Sequence, residues 1–251
     1  MPPIARYVVE VRCLLRRFAR AGSALPRAAC VAVLAGMLAA HPAPFAAEPV
    51  PDGFFKAVAR DDDRDVRVYL LRGASVAARD PAGTPALVLA AAERAFKVVR
   101  TFLAIPGTEV DAANAVGETA LMYAALHGSV ETAELLMEKG AQVNKTGWTP
   151  LHYAATGGNE QMVLLLLEKY AYIDAESPNG TTPLMLAARQ KHGAVARTLI
   201  EAGADPTVRN QAGLSAADYA QRSDDRALAD WIRAKSTDFS ARYGVTGTVR
   251  R

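Results

Sequence analysis

Cysteine is nearly missing from this chain of 251 residues: it has two, Cys13 and Cys30, both close to the N-terminus. Beyond Cys30 there can be no disulfide, no thiol nucleophile and no Cys-based metal site. Long apolar runs are scarce as well. The stretch from Ala28 to Ala40 has 13 residues, short of the roughly 20 that span a bilayer as a helix. Aromatic residues make up 7% of the chain and only two are tryptophan, Trp148 and Trp231. A surplus of one charge is also lacking. The chain carries 29 basic and 26 acidic side chains, but residues 1–47 hold six Arg against Glu10, leaving 23 basic and 25 acidic residues elsewhere. That remainder has no general excess of positive charge with which to replace the counterions of a nucleic acid.

Catalytic signatures are missing too. Three histidines follow the N-terminal segment, His127, His152 and His192, and none has HExxH spacing. Ser215, in Gly213-Leu214-Ser215-Ala216-Ala217, lacks the Gly that completes a nucleophile elbow. Asp61-Asp62-Asp63-Arg64-Asp65 lacks the Gly and the distal Glu of a calcium loop. Asn144-Lys145-Thr146 and Asn179-Gly180-Thr181 match the glycosylation sequon, a motif short enough to arise often by chance. The chain is expected to be no enzyme and to use no cofactor or metal.

What is present begins with the segment 1–47. A basic stretch precedes the apolar run, and small residues ending in Ala46-Ala47 follow it. These are the three parts of a secretory signal. The segment predicts export to the periplasm or beyond, with no membrane attachment after its removal. With 51% apolar residues the remaining chain has material for a core, and without cysteine it must rely on packing.

That remainder repeats itself. GETALMYAA (Gly117–Ala125), GWTPLHYAA (Gly147–Ala155) and GTTPLMLAA (Gly180–Ala188) align, with weaker copies at Thr84–Ala91 and Gly213–Ala220. Their equivalent positions Leu87, Leu121, Leu151, Leu184 and Ala217 are separated by 34, 30, 33 and 33 residues. A second motif trails the first, as in Ser129–Asn144, Glu160–Ala175 and Ala194–Asn210. In each unit a Thr (Thr119, Thr149, Thr182) stands where a helix should start and can cap it. Pro150 and Pro183 suit the first helical position. The Ala pairs keep that helix thin, Gly128 and Gly158 can end it in the left-handed conformation, and a Leu-rich second helix follows.

A fixed period of about 33 with both half-motifs resembles the ankyrin repeat. The resemblance implies an all-α repeat solenoid of paired antiparallel helices with β-hairpin-like loops, about five repeats including degenerate caps. Its expected boundaries are a cap at 52–80, repeats at 81–114, 115–146, 147–179 and 180–212, a C-terminal cap at 213–235 and a flexible tail at 236–251. Arg94, Lys191 and Tyr170 stand where the family prefers a helix-ending Gly. The spacing of 30 predicts a shortened loop between the second and third repeats, beside Trp148.

Family resemblance also implies where a partner would lie: on the loop tips and on the exposed side of each first helix. The matching positions include Val116, Glu118, Leu126, His127, Trp148, Thr156, Thr181, Arg189 and Gln190. An exposed tryptophan is the foremost candidate, since Trp is enriched among interface hot spots; alternatively, Trp148 folds over its own shortened loop. The function implied is a non-catalytic protein-protein interaction module, an adaptor or inhibitor of the bacterial cell envelope, monomeric, with an unidentified protein as partner. A secreted effector that binds a host protein is the alternative.

Overall fold

The computed structural model describes residues 52–244; the expected export signal, 1–47, lies outside them. Within these residues the chain forms helices without strands. They come in six pairs: α1 (Asp52–Ala59) with α2 (Asp63–Leu71), α3 (Ala86–Ala92) with α4 (Phe96–Leu103), α5 (Ala120–Leu126) with α6 (Val130–Glu138), α7 (Pro150–Gly157) with α8 (Glu160–Glu168), α9 (Pro183–Arg189) with α10 (Gly193–Glu201), and α11 (Ala216–Arg222) with α12 (Arg226–Tyr243). The all-α solenoid expected from the repeat is what forms. The four full repeats and the two caps supply one pair each.

The first helices pack in one row, α1–α3–α5–α7–α9–α11, and the second helices in another, α2–α4–α6–α8–α10. Small residues allow the first row to close up: Ala90, Ala91, Ala124, Ala125, Ala154, Ala155, Ala187 and Ala188 are all fully buried. Between the rows lie Leu121, Leu136, Leu151, Leu166, Leu184 and Leu199. At one end Phe54 and Phe102 meet with centroids 6.2 Å apart. At the other, Leu228, Ala229 and Ile232 close the core. One approach is unusually tight. A Cβ on Gly157 would fall 2.1 Å from the backbone oxygen of Leu126, so only glycine lets α7 lie against the end of α5 here.

The connecting loops are turned by side-chain oxygens. Oδ1 of Asp80 accepts from the N–H groups of Ala82 and Thr84, and Oδ1 of Asn114 from those of Val116 and Glu118. Ser177 and Asn210 serve the later loops. Isolated bridges Arg79–Pro85 and Ala113–Thr119 give the first two loops their hairpin character. The shortened segment between α6 and α7 has no counterpart of this turn residue. There Asn144 reaches forward instead: its amide donates to the carbonyl of Tyr170 (2.8 Å) and its Oδ1 accepts from the N–H of Tyr172 (2.9 Å). Lys145 reaches back to the carbonyl of Gly117 at 3.3 Å.

Successive units are laced by one recurring bond. Asp111 accepts from the N–H of Gln142, Asn144 from that of Tyr172, and Asp174 from that of Asp205. The helix-ending positions keep their left-handed backbone even without glycine, with φ of 59° at Arg94, 62° at Tyr170 and 61° at Lys191. Asp61 and Asp224 do the same at 55° and 59°. For Asp61 the reason is visible: its carboxylate accepts from the N–H groups of Lys97 and Val98 and so caps α4 from the neighbouring unit.

Two expectations need correction. The segment from residue 236, read as a flexible tail, continues α12 through Tyr243, where Gly244 ends the helix in the left-handed conformation. Phe239 and Tyr243, one helical turn apart, face each other with centroids 4.6 Å apart, and Ser236 donates to the carbonyl of Pro206. Residues 245–251 lie outside the described residues. Helix capping by the motif threonines is the second correction, because it is not uniform. Thr182 accepts from the N–H of Met185. The Thr149 hydroxyl lies 2.9 Å from the ring of His152. Among the described residues Thr119 Oγ1 is buried without a hydrogen-bond partner. The residue three places on does not set this difference, because it is methionine after both Thr119 (Met122) and Thr182 (Met185).

Candidate functional site

The side chains placed on the loop tips and along the first-helix row fall into two groups. Some are committed within the protein, and others face outward.

Glu118 belongs to the first group. It lies just before α5 and accepts from Tyr123 Oη at 2.6 Å, from Tyr153 Oη at 2.6 Å and from the amide of Asn114 at 2.8 Å. Tyr153 belongs to the following repeat, so the carboxylate braces two units. Burial opposes its ionisation, but the three hydrogen bonds prevail and hold the carboxyl below its ordinary range. The same burial, with the anion alongside, pushes Tyr123 up to about 12 and raises Tyr153 as well.

The histidines are committed too. His152 is fully buried. Its Nδ1 accepts from the N–H of Thr149 at 3.1 Å, so Nε2 carries the proton and donates to the carbonyl of Thr181 at 2.9 Å. Burial pushes its pKa down, which suits a neutral ring. His127 takes the same tautomer for a different reason: Arg94 Nε can only donate, and it does so to Nδ1 at 3.2 Å. Nε2 then donates to the carbonyl of Ala92. His192 spans the next junction, with Nε2 3.0 Å from the carbonyl of Thr156. Each ring ties its helix to the preceding or following unit.

Three further candidates are partly or wholly covered. Thr181 is 3% exposed. Its N–H is held by Ser177 and its carbonyl by His152, so it cannot face a partner, contrary to expectation. Thr156 is half-buried, with its hydroxyl bonded to the carbonyl of His152. Leu126, expected to be exposed, is half-buried at the end of α5, where Gly157 closes over its carbonyl.

The outward group is smaller. Val116 stands on a loop tip with 74% of its surface exposed. Trp148, on the next tip, is 37% exposed, and its ring meets that of His152 edge-on at 5.3 Å. It therefore does both things the sequence allows: it covers the buried histidine beside the shortened loop and still presents a face. Arg189 and Gln190 are exposed at the end of α9.

The braces are not visible in the sequence alone. Glu118, Tyr123 and Tyr153 are far apart in the chain, and only the alignment of Tyr123 with Tyr153 in equivalent positions hints that one carboxylate could serve both. Nor does the sequence single out Asp174, which is half-buried beside Asp205 and Glu176. Burial and these two anions push its pKa up to about 6, against the pull of the Asp205 N–H.

Comparison with known proteins agrees with this architecture. Residues 54–146 and 142–210 match a family model described as ankyrin repeats in three copies. A protein of Treponema pallidum (strain Nichols), described as ankyrin repeat-containing, is 31% identical over 176 residues. The match covers 69% of this chain and 49% of that protein, so the chain spans about half the length of this relative.

Proposed function

We propose that this chain, which belongs to the ankyrin-repeat family, is a non-catalytic interaction module of the bacterial cell envelope that holds another protein as an adaptor or inhibitor. Ankyrin repeats are in general protein-interaction modules, and the finer assignment rests on this chain's own surface. The observation that carries it is the half-covered Trp148 next to the shortened loop, with the exposed Val116 on the neighbouring tip. A large aromatic left partly open on a turn is an anchor that a partner can desolvate. Around it, the polar groups that could do chemistry are engaged: Glu118 by two tyrosines and His152 by two repeats.

The envelope location rests on the basic, apolar and small-residue pattern of residues 1–47. Among the described residues no helix is long and apolar enough to cross a membrane. The test is capture from an envelope fraction with the full chain as bait and Trp148→Ala beside it. A protein held by the wild type and lost with the variant, at equal stability of the two baits, supports the reading. Capture unaffected by the substitution moves the site away from Trp148. Capture from host extract but not from the envelope favours a secreted effector.

A further inference from the structure

The position after the Ala pair of each first helix, on the side where the family resemblance puts a partner, reads Ala92, Leu126, Thr156 and Arg189, with Arg222 at the equivalent place in the C-terminal cap. It is apolar or neutral over the first three repeats and cationic in the fourth repeat and the C-terminal cap. Arg189 and Arg222 close the neighbouring helices α9 and α11, and the hydroxyl of Ser223 donates to the carbonyl of Arg189 at 2.6 Å, which fixes the two ends side by side. Lys191 adds a third cation two residues beyond Arg189. All three are exposed, and among the described residues none takes part in an ion pair. The nearby acids are otherwise engaged: Asp224 lies 3.8 Å from Arg226, and Asp225 caps α12 through the N–H of Leu228.

Lys191 supplies the independent observation. It holds a left-handed φ of 61°, where Gly128 and Gly158 stand in the second and third repeats. A side chain there is disfavoured relative to glycine. At Arg94, in the same position, the side chain is bonded to His127, and at Asp224 it pairs with Arg226. The Lys191 backbone ends α9, its N–H bonding to the carbonyl of Ala188 and the N–H of His192 to the carbonyl of Ala187, while its ammonium has no such engagement within the described residues. The fold thus accounts for the backbone and leaves the cation itself free to meet a partner.

We infer that the partner presents an acidic protein segment, whose carboxylates meet Arg189, Lys191 and Arg222 while its apolar part reaches Trp148. This rests on the protein-interaction reading above and names the partner's chemistry. A nucleic acid fits less well, because the cations are three at one end of the face and the chain beyond residue 47 carries 23 basic against 25 acidic residues.

The probe is a fluorescein-labelled oligo-glutamate of about eight residues, followed by anisotropy with the full chain at about 0.05 M salt, where exposed charges are little screened. Oligo-lysine, oligo-serine and a single-stranded oligonucleotide are the comparison ligands. The wild type should bind oligo-glutamate and neither of the other peptides. Reversing all three cations (Arg189→Glu, Lys191→Glu, Arg222→Glu) should weaken binding at least about tenfold. The same number of reversals at Lys56, Arg60 and Arg64, on the first helix pair, should leave it within about twofold. Lys191→Gly separates binding from folding: it should raise the unfolding midpoint while weakening the peptide about threefold. Equal loss in the two triple variants, no binding above oligo-serine, or tighter binding of the oligonucleotide overturns the inference. If the envelope capture depends on Trp148 but oligo-glutamate does not bind, the interaction reading stands and the acidic partner falls. The reverse outcome removes the envelope partner and keeps the acidic surface.

Discussion

Two carboxylates in half-buried places titrate in opposite directions, and the bonds around each say why. Glu118 has three donors to its two oxygens, whereas Asp174 has one backbone N–H and two acidic neighbours. Asp174, pushed up to about 6 from an ordinary 3.8, favours the folded state only when protonated. Its ionisation therefore weakens the fold at neutral pH, and that weakening disappears as pH falls from about 6 to below 3.8. Asn144 does the same bridging in the previous unit with a neutral amide. Asp174→Asn should stabilise the protein at pH 7 by on the order of 1–3 kcal/mol and bring little gain at pH 3.5, as read by urea unfolding at the two pH values. An equal gain at each pH would mean that the ionisation is not the cause. A second residue-scale contrast lies in the motif threonines. Thr119 Oγ1 is buried and unpartnered while Thr182 caps α9. Thr119→Val should be neutral or stabilising, because it removes an unsatisfied polar group. Thr182→Val should cost about 1 kcal/mol by losing a cap. Thermal midpoints of the two variants decide it: a loss at Thr119 as large as at Thr182 would show that the hydroxyl is satisfied in solution.

Helices in this protein are short, and their spacing is set by what separates them. α5 and α7 approach until the Leu126 carbonyl leaves no room for a Cβ on Gly157. Gly157→Ala would therefore force the helices apart, although alanine is the better helix former. The expected cost is about 1–3 kcal/mol, as for overpacking elsewhere, measured against Gly193→Ala, where the added Cβ meets nothing within 4 Å. Stabilisation at both positions would refute the close approach. This contrast also shows what the sequence makes legible. The period, the Thr-Pro starts and the Ala pairs are local patterns, and they locate the repeats. The close approach of Leu126 to Gly157, the Glu118 brace and the burial of Thr181 depend on which side chains meet across a junction some thirty residues away in the chain, and no local pattern encodes that. The length of helix α12 is hidden in the sequence for a related reason. Its last turns, with Phe239 and Tyr243 as their main large apolar residues, have no repeat-period pattern, and they are held by self-pairing of the rings and by the bond from Ser236 to Pro206.

At the scale of the whole repeat domain, each helix pair packs only on its neighbours, so stability is a sum of unit and junction terms rather than the property of one core. The two tryptophans happen to report different parts of this row. Trp148 sits at the start of α7 in the middle, with its ring against His152. Trp231 lies in α12 at the end, beneath the Arg197 guanidinium at 4.5 Å and near the Lys235 ammonium. Leu228 is buried beneath the same end, and Leu228→Ala removes part of the cap's core at a cost of about 2–5 kcal/mol. In a nearest-neighbour stack this loss falls first on α11 and α12. Followed by fluorescence in single-tryptophan versions (Trp148→Phe or Trp231→Phe), the signal of Trp231 should lose its cooperative midpoint at a lower denaturant concentration than that of Trp148. In the parent background the two signals should coincide more closely. Identical shifts at the two tryptophans would mean that the junctions are strong enough to make six pairs fold as one, and that a partner bound to Arg189, Lys191 and Arg222 at the C-terminal end would stabilise the Trp148 region equally. Separate shifts would mean the reverse: a partner gripping the last repeat and the C-terminal cap would order that end alone, and contact with Trp148 would have to be made directly.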